Sequence, residues 1–294
     1  MNTVLSRKRT IIGFLLPGVL VYVISVIIPI VWSSYYSFFE WNGLGDKSFI
    51  GFDNFAKMLQ DTELWESVVN TIILTLWEIV LELGVGLAIA LLLLKITRGR
   101  KVLQGLYYLP VIVSSVALCQ MFKKIFAVNP VGIFNQIIST FNPEWISLEL
   151  LTNVETSLAM VIFVTGYKSM ATYMLIFYSA LLTIPSSLLE AARIDGANAL
   201  KTFWNITLPC LKPTIFANLI LVVNGSLRAY DIPRLLTGGG PMSSSQTQAM
   251  YMYKQAFTSM KYGYGSSIAI FIVIEALLIA LVIKQFSYRQ KGGI

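Results

Sequence analysis

Histidine is absent from this 294-residue sequence, and cysteine occurs only twice, at Cys119 and Cys210. Without histidine, the chain has no histidine metal ligands and no histidine acid–base catalyst. The two cysteines are far apart and lie in or near apolar runs, where they are expected to act as small hydrophobic side chains. We therefore predict no metal site and no catalytic residues, so the chain is not expected to be an enzyme by itself.

Charge is also scarce. Charged residues make up 13% of the sequence, hydrophobic residues 56%, and the mean hydropathy is +0.70. Soluble domains contain roughly 25% charged residues. The apolar residues come in long runs, each near or above the roughly 20 residues that cross a bilayer as a helix. We predict an all-α membrane protein in which residues 1–294 form a single transmembrane domain.

Six apolar runs are predicted to be transmembrane helices, and the polar segments between them set their approximate limits. The predicted spans are 11–39, 67–94, 103–128, 157–182, 209–230 and 262–284. Pro17 and Pro29 are expected to start or kink the first span, and Leu109-Pro110 to bend the third.

Lysine and arginine residues are distributed unequally among the termini, the loops and the predicted spans. Thirteen of the 22 lysine and arginine residues lie at the termini, between the second and third spans, or between the fourth and fifth spans. Five lie in the other loops and four within spans. Such residues concentrate on the cytoplasmic side of membrane proteins. Both termini and the segment 185–207 are therefore predicted to be cytoplasmic. This placement accounts for the net charge of +7 without nucleic acid.

The segment 185–207 is predicted to form a short helix–turn–helix. Ser187 to Glu190 has the pattern of a capping box, Gly196 suits a left-handed helix end, and Asn198 can cap a second helix. A helix of about two turns is marginal in water and needs a groove to lie in. The simplest interpretation is an interfacial helix that joins two spans.

Three short motifs follow one another in this segment. They are Glu190-Ala191-Ala192, Asp195-Gly196-Ala197 and Ile206-x-Leu208-Pro209. Their types and spacing resemble the EAA loop of permeases from binding-protein-dependent ABC importers. In that family the loop is a coupling helix that docks on the ATP-hydrolysing subunit. The resemblance implies that ATPase coupling involves Glu190, Ala191, Ala192, Asp195 and Gly196.

Two other loops indicate which group of these permeases the chain resembles. Gly51-Phe52-Asp53-Asn54-Phe55 and Thr237-Gly-Gly-Gly-Pro241 are similar to loops of carbohydrate-uptake permeases of the maltose and multiple-sugar type. The resemblance implies that the chain forms half of the pathway for a carbohydrate, with an oligosaccharide favoured. By itself, the glycine run at 238–240 is interpreted as a flexible turn, because it lacks the lysine and hydroxyl of a phosphate loop.

The resemblance also implies a set of partners. No G-x-x-x-x-G-K-[ST] motif occurs in the sequence, so ATP and magnesium are expected on a separate ATPase, and no cofactor on this chain. The implied partners are a second permease subunit that is a non-identical homologue, two ATPase subunits and an extracytoplasmic solute-binding protein. The implied location is the plasma membrane of a bacterium or archaeon, with the lipid bilayer and no nucleic acid as further contacts.

Polar residues inside spans indicate a substrate pathway, because each ionisable one costs roughly 2.5–3.5 kcal/mol at mid-bilayer. In maltose-type permeases, contacts come from the spans before and after the EAA loop. The predicted pathway residues come from alignment on the EAA loop and on the glycine run at 238–240, and from the ionisable residues within spans. They are Ser169, Thr172, Asn224, Ser226, Arg228, Tyr230, Glu78 and Glu82. The alternatives are pairing of a glutamate with Lys168, and close helix packing by the small residues.

Other functions stay open from the sequence. Permeases for glycerol phosphate or a sugar alcohol share much of this architecture, and Arg228 could serve a phosphate. An ion-coupled secondary transporter would use Glu78, Glu82 and Lys168 as a proton relay. A membrane scaffold without transport activity is the third class.

Overall fold

The protein is mostly helical in the computed structural model, which describes residues 8–289. The basic residues Arg7 and Lys291, which contributed to the predicted orientation, lie outside the described residues. The α-helices are α1 (Lys8–Tyr22), α2 (Ile28–Tyr36), α3 (Asp53–Gln60), α4 (Thr62–Glu78), α5 (Gly86–Lys95), α6 (Arg100–Ile112), α7 (Ser115–Ile125), α8 (Ile133–Ser139), α9 (Ser157–Leu182), α10 (Ser186–Ile194), α11 (Ala199–Thr202), α12 (Leu208–Leu227), α13 (Asp231–Leu236), α14 (Gln248–Tyr253) and α15 (Tyr262–Arg289).

Several shorter elements connect or extend these helices. In the described part of the chain, four π-helical segments occur at Val23–Ile27, Ile79–Val85, Phe203–Thr207 and Lys254–Thr258, and a 3₁₀ turn covers Pro143–Ser147. Strand β1 (Phe39–Glu40) pairs antiparallel with β2 (Ser48–Phe49), with Phe39 opposite Phe49. Pro29 explains the first π-helical segment, because it has no N–H to donate to the carbonyl four residues earlier.

Among residues 8–289, five continuous helices are long and apolar enough to cross a membrane. They are Ile11–Tyr36, Thr62–Lys95, Ser157–Leu182, Ala199–Leu227 and Tyr262–Ser287. They coincide with the first, second, fourth, fifth and sixth predicted spans. The second and fifth begin several residues before the predicted limits, because their first turns are polar and hydropathy marks only the apolar part of a helix.

The third predicted span is broken. Helices α6 and α7 meet at an angle of 94°, and they pass as a single span only when taken together. The break lies at Val113-Ser114, so the expected bend at Pro110 is wrong. Pro110 stays inside α6, whereas Ser114 leaves the helical conformation and its Oγ accepts a hydrogen bond from Ala117 N at 3.2 Å. A serine cap of this kind starts a new helix in a new direction.

The chain divides into two compact units. Unit 1 comprises residues 8–61 and 252–274, and its β-hairpin is surrounded by aromatic rings. Lys47 Nζ lies 4.5 Å from the ring centre of Tyr35 and 5.0 Å from that of Phe39. Asn54 Nδ2 donates to Phe39 O at 3.0 Å, which links α3 to the hairpin.

Unit 2 comprises residues 62–251 and 275–289 and is organised around α9. This helix packs against α4, α5, α6 and α12. Two glycines allow α9 to approach the second predicted span closely. A Cβ at Gly86 would lie 3.2 Å from Met170 O, and one at Gly166 would lie 2.9 Å from Leu81 Cδ1. Small residues of this kind allow helices in membranes to pack backbone to backbone.

Candidate functional site

A cavity of about 270 Å³ lies in unit 2, where α9 meets the end of α12 and the start of α13. Ten of its fifteen lining residues carry a hydroxyl or a charge. These ten are Glu82, Ser115, Thr165, Lys168, Ser169, Tyr173, Ser226, Arg228, Tyr230 and Asp231. Its volume is just below the roughly 300–1,000 Å³ typical of a complete small-ligand site. A polar hollow of this size can bind part of a polyhydroxylated solute.

Helix α9 supplies one wall of the cavity. Thr165, Ser169 and Tyr173 are four residues apart, so they lie on one face of the helix. Lys168 extends from the same helix, and its Nζ donates to Ser115 Oγ at the start of α7. The predicted alternative, in which Lys168 pairs with a glutamate, stays a prediction. The ammonium group lies at the cavity with a hydroxyl as its hydrogen-bond partner.

Glu82 forms the acidic part of the lining, in the π-helical segment that follows α4. Ser169 and Tyr173 line the same cavity as Glu82, and Glu78 lies one helical turn before Glu82, at the end of α4. Both glutamates are buried, with 1% exposure for Glu78 and 5% for Glu82. Buried ionisable side chains at membrane depth are costly, and in membrane proteins they mark functional positions by default.

The opposite end of the cavity is formed where α12 stops. Arg228 follows the last residue of α12, and its Nε donates to Asn224 O at 3.1 Å, so that the cation lies at the negative end of the helix dipole. Tyr230 and Asp231 come next, with Asp231 in the first turn of α13. Two cations and two carboxylates thus line the same hollow.

The predicted pathway residues are partly brought together. Five of the eight line the cavity: Ser169, Ser226, Arg228, Tyr230 and Glu82. Three do not. Thr172 is half-buried elsewhere on α9, Asn224 donates to Ile220 O within its own helix at 2.9 Å, and Glu78 is buried behind Glu82. Their predicted roles in transport stay predictions.

Sequence reasoning missed Ser115 and Thr165 as lining residues. Ser115 reaches the cavity only because α6 and α7 are bent at the preceding residues, and no hydropathy signal marks that bend. Thr165 could have been found, since it lies one helical turn before Ser169 on the same face. Within residues 8–289, no group of three or more cysteine or acidic side chains is arranged to hold a metal ion.

Residues 185–207, predicted to be the coupling helix and called the coupling segment below, follow the other end of α9. Gly196 has φ +72°, Gly196 N donates to Arg193 O at 3.1 Å, and Ala197 N donates to Ala192 O at 2.9 Å. These two bonds form a Schellman motif, so the predicted left-handed helix end is confirmed. Asn198 Oδ1 accepts from Lys201 N at 2.8 Å, which confirms the predicted second cap.

The predicted capping box is wrong. Helix α10 begins directly after Pro185, and no side chain forms a cap hydrogen bond there. Ser187 is therefore the second residue of the helix and Glu190 the fifth, too far along to satisfy its first N–H groups. Glu190 is exposed, as are Ala191, Asp195 and Gly196, whereas Ala192 is buried. Both carboxylates are thus accessible to a partner.

Residues 237–248, which we call the outer loop, include the glycine run 238–240 that is interpreted from the sequence as a flexible turn. The residues that follow this run are held in place. Ser245, Gln246, Thr247 and Gln248 are all buried, and hydrogen bonds fix the loop to the first residues of the second span. The sequence could not show this, because the partner side chains lie more than 170 positions away.

Comparison with known proteins gives a consistent result. The sequence profile of the family described as "Binding-protein-dependent transport system inner membrane component" matches residues 82–290, which is more than half of the chain. The probable ABC transporter permease protein YurN of Bacillus subtilis is 30% identical over 93% of this chain and 94% of its own length. The multiple sugar-binding transport system permease protein MsmF of Streptococcus mutans is 31% identical over 89% of each chain.

A solved structure shares the fold. It is the crystal structure of a bacterial ABC transporter involved in the import of the acidic polysaccharide alginate. One of its chains matches with a TM-score of 0.83 and 22% identity, over 97% of both chains. At that level of identity the similarity concerns the fold alone.

Proposed function

Because the chain belongs to the family of inner membrane components of binding-protein-dependent transport systems, we propose that it is the permease subunit of an ATP-driven carbohydrate importer. The predicted family is thereby confirmed. The proposal includes six spans, counting the bent α6–α7 pair as one, with both termini and the coupling segment in the cytoplasm. The chain would form half of a pathway for an oligosaccharide.

The observation that carries this proposal is the polar cavity between the helices on either side of the coupling segment. Hydroxyl and charged groups line it, as binding of sugar hydroxyls by hydrogen bonds requires, and the rings of Tyr173 and Tyr230 offer apolar faces. Relatives such as MsmF, named for multiple sugars, and AraP of Bacillus subtilis, named for arabinooligosaccharides, support a carbohydrate. A second permease would close the other side of the pathway.

The same two helices support a coupling mechanism. Helix α9 runs without interruption from the cavity to Leu182, shortly before α10. The continuous helix Ala199–Leu227 begins within the coupling segment and extends to Ser226 in the cavity wall. A displacement of the coupling segment therefore acts directly on both walls of the cavity.

The partners follow from this arrangement. A non-identical second permease completes the pathway, and two ATPase subunits receive the coupling segments and carry ATP and magnesium, so this chain needs no cofactor. An extracytoplasmic solute-binding protein delivers the sugar. The assembly lies in the plasma membrane of a bacterium or archaeon. Closure of the ATPase pair would move the coupling segment and open the cavity outward, and hydrolysis would reset it.

Reconstitution in lipid nanodiscs with the partner subunits tests the proposal. The measurement is ATPase stimulation by the binding protein loaded in turn with neutral oligosaccharides, acidic oligosaccharides, glycerol phosphate and a sugar alcohol. Oligosaccharides should stimulate. Ser169→Leu should reduce uptake about tenfold, because it fills the cavity and removes a hydroxyl partner. Ser179→Leu is the matched control, since Ser179 lies on the same helix but is exposed.

Equal uptake by the Ser169 and Ser179 variants would show that the cavity is not the pathway. Stimulation by glycerol phosphate alone would change the substrate class to the phosphate that Lys168 and Arg228 could bind. The buried Glu78–Glu82 pair favours a second candidate, an ion-coupled secondary transporter. That candidate requires uptake to collapse with a protonophore while the ATP concentration is constant, whereas the ATP-driven importer should continue.

A further inference from the structure

Helix α3 in unit 1 has three distinct faces, because successive residues turn by about 100° around an α-helix. The first face is buried and consists of Asn54 and Met58. The second face is polar and exposed, and it consists of Asp53, Lys57 and Gln60. The third face, which we call the apolar face, consists of Phe52, Phe55, Ala56 and Leu59.

The apolar face is largely uncovered by the rest of the chain. Phe52 is 72% exposed and Leu59 is 68% exposed, and Ala56 between them is also exposed. A surface helix of a soluble protein directs its apolar side chains to the core and its polar ones to water. Helix α3 presents an additional apolar face to its surroundings. Contiguous apolar surface of this kind marks contact with a protein or a membrane.

Two of the predicted spans end beside α3. The continuous helix Ile11–Tyr36 stops here, and helix α15 of the sixth span begins at Tyr262. The ring centres of Tyr36 and Tyr262 are 6.2 Å apart, so both span ends lie at the same level. Tyrosine is enriched where a span leaves the hydrocarbon and meets the headgroups. We therefore expect the boundary of the bilayer to pass through this part of unit 1.

Helix α3 is fixed to both span ends. Asn54 Nδ2 donates to Ser37 O at 2.9 Å, directly after the first span. At the other end of α3, the hydroxyl group of Tyr264 in the sixth span donates to Asp61. Lys57 Nζ lies 4.7 Å from the ring centre of the same tyrosine. These contacts hold α3 at the level of the span ends.

The apolar face is continuous with the sides of the first span. Phe38 follows that span, and its ring centre lies 5.3 Å from that of Phe52 and 5.7 Å from that of Phe55. None of residues 11–36 is buried in the structure, so the sides of this span are available to lipid. A short helix with one apolar and one charged face at this level has the pattern of an interfacial helix, which lies in the plane of the bilayer surface.

We infer that α3 is an interfacial helix whose apolar face lies among the lipid headgroups at the boundary where the first and sixth spans end. Its polar face then meets water. Because hydrogen bonds join α3 to both spans, displacing their ends along the bilayer normal would bring Phe52 and Leu59 into water. The helix therefore opposes such displacement. The inference concerns the bilayer alone and does not depend on which solute is transported.

Spin-label accessibility in the assembled transporter in nanodiscs tests the inference. Cysteine is introduced singly by Phe52→Cys or Leu59→Cys on the apolar face, and by Asp53→Cys or Gln60→Cys on the polar face as matched controls. The background carries Cys210→Ser, since Cys210 is exposed whereas Cys119 is buried. Oxygen, which concentrates in lipid, should relax the labels at 52 and 59 more effectively than a water-soluble nickel chelate. The order should reverse at 53 and 60.

A second measurement requires no cysteine. A benzophenone derivative of phenylalanine at position 52 retains the aromatic ring and should form photo-crosslinks to phospholipid. The same residue at position 60 should form none. An unchanged thermal unfolding midpoint establishes that each variant is folded.

Two results would overturn the inference. If the nickel chelate is the more effective reagent at all four positions, the apolar face lies in water. If the labels at 52 and 59 are shielded from both reagents, and position 52 crosslinks to the second permease or to a solute-binding protein, the apolar face is a protein interface. Loss of sugar uptake in the wild-type assembly would contradict the proposed function and leave these accessibility results unaffected.

Discussion

Substitution of Gly196 by valine should uncouple the transporter without dismantling it. A Cβ added at Gly196 meets nothing within 4 Å, so the substitution causes no steric clash with neighbouring groups. Its whole effect comes from the backbone, which has φ +72°. A left-handed conformation costs an L-residue roughly 1–2 kcal/mol, which corresponds to about a 5- to 30-fold loss of the correctly turned state. A β-branched residue lies at the upper end of that range or beyond it.

Two measurements separate uncoupling from misassembly. Co-purification of the ATPase reports assembly, and sugar uptake with binding-protein-stimulated ATP hydrolysis reports coupling. Gly196→Val should retain assembly at saturating ATPase concentration and reduce both uptake and stimulated hydrolysis about tenfold. Gly196→Asn is the matched control, because asparagine tolerates the left-handed region, and it should remain near wild type.

Normal uptake by a fully assembled Gly196→Val transporter would refute this reasoning. It would mean that the Schellman turn after α10 can rearrange at no cost to the contact with the ATPase. Equal loss in the valine and asparagine variants would refute it in a different way, since glycine would then be required for reasons other than backbone conformation.

Three other predictions concern separate parts of unit 2. Glu82→Gln should lower the apparent affinity for sugar about tenfold in uptake assays, because Glu82 lines the cavity, whereas Glu78→Gln should change it little. Gly166→Val should destabilise the chain by roughly 1–3 kcal/mol in thermal unfolding, because its Cβ would overlap Leu81, while Gly84→Val, with open space around it, should not. Asp195→Arg should weaken co-purification of the ATPase, and a compensating acidic substitution on the ATPase should restore it.

The features that the sequence predicted correctly are those determined locally. Long apolar runs locate five continuous helices that are long and apolar enough to cross a membrane, because an apolar run of about 20 residues favours a single long helix. Gly196 and Asn198 predicted the turn after α10 because a left-handed end and a side-chain cap each depend on one residue type. Of the five predicted cavity residues, Ser169 and Ser226 followed from alignment on the EAA motifs and the glycine run. Glu82, Arg228 and Tyr230 followed from being polar or ionisable side chains within apolar spans.

The features that the sequence did not reveal depend on tertiary contacts. The break between α6 and α7 is set by the cap at Ser114 and not by the more conspicuous Pro110. The outer loop has the composition of a flexible turn, and its fixed conformation depends on Asn70 and Glu63, which belong to a distant helix. Local sequence patterns carry no record of such partners.

Helix α9 connects the three features on which the proposed function depends. At the helical rise of about 1.5 Å per residue, its 26 residues extend roughly 39 Å. Ser157 at its start contacts the outer loop, Ser169 in its middle lines the cavity, and Leu182 at its end precedes the coupling segment. An uninterrupted helix resists bending, so these points are expected to move together. Docking of a binding protein and closure of the ATPase pair would then act on the cavity through the same rigid element, from its two ends.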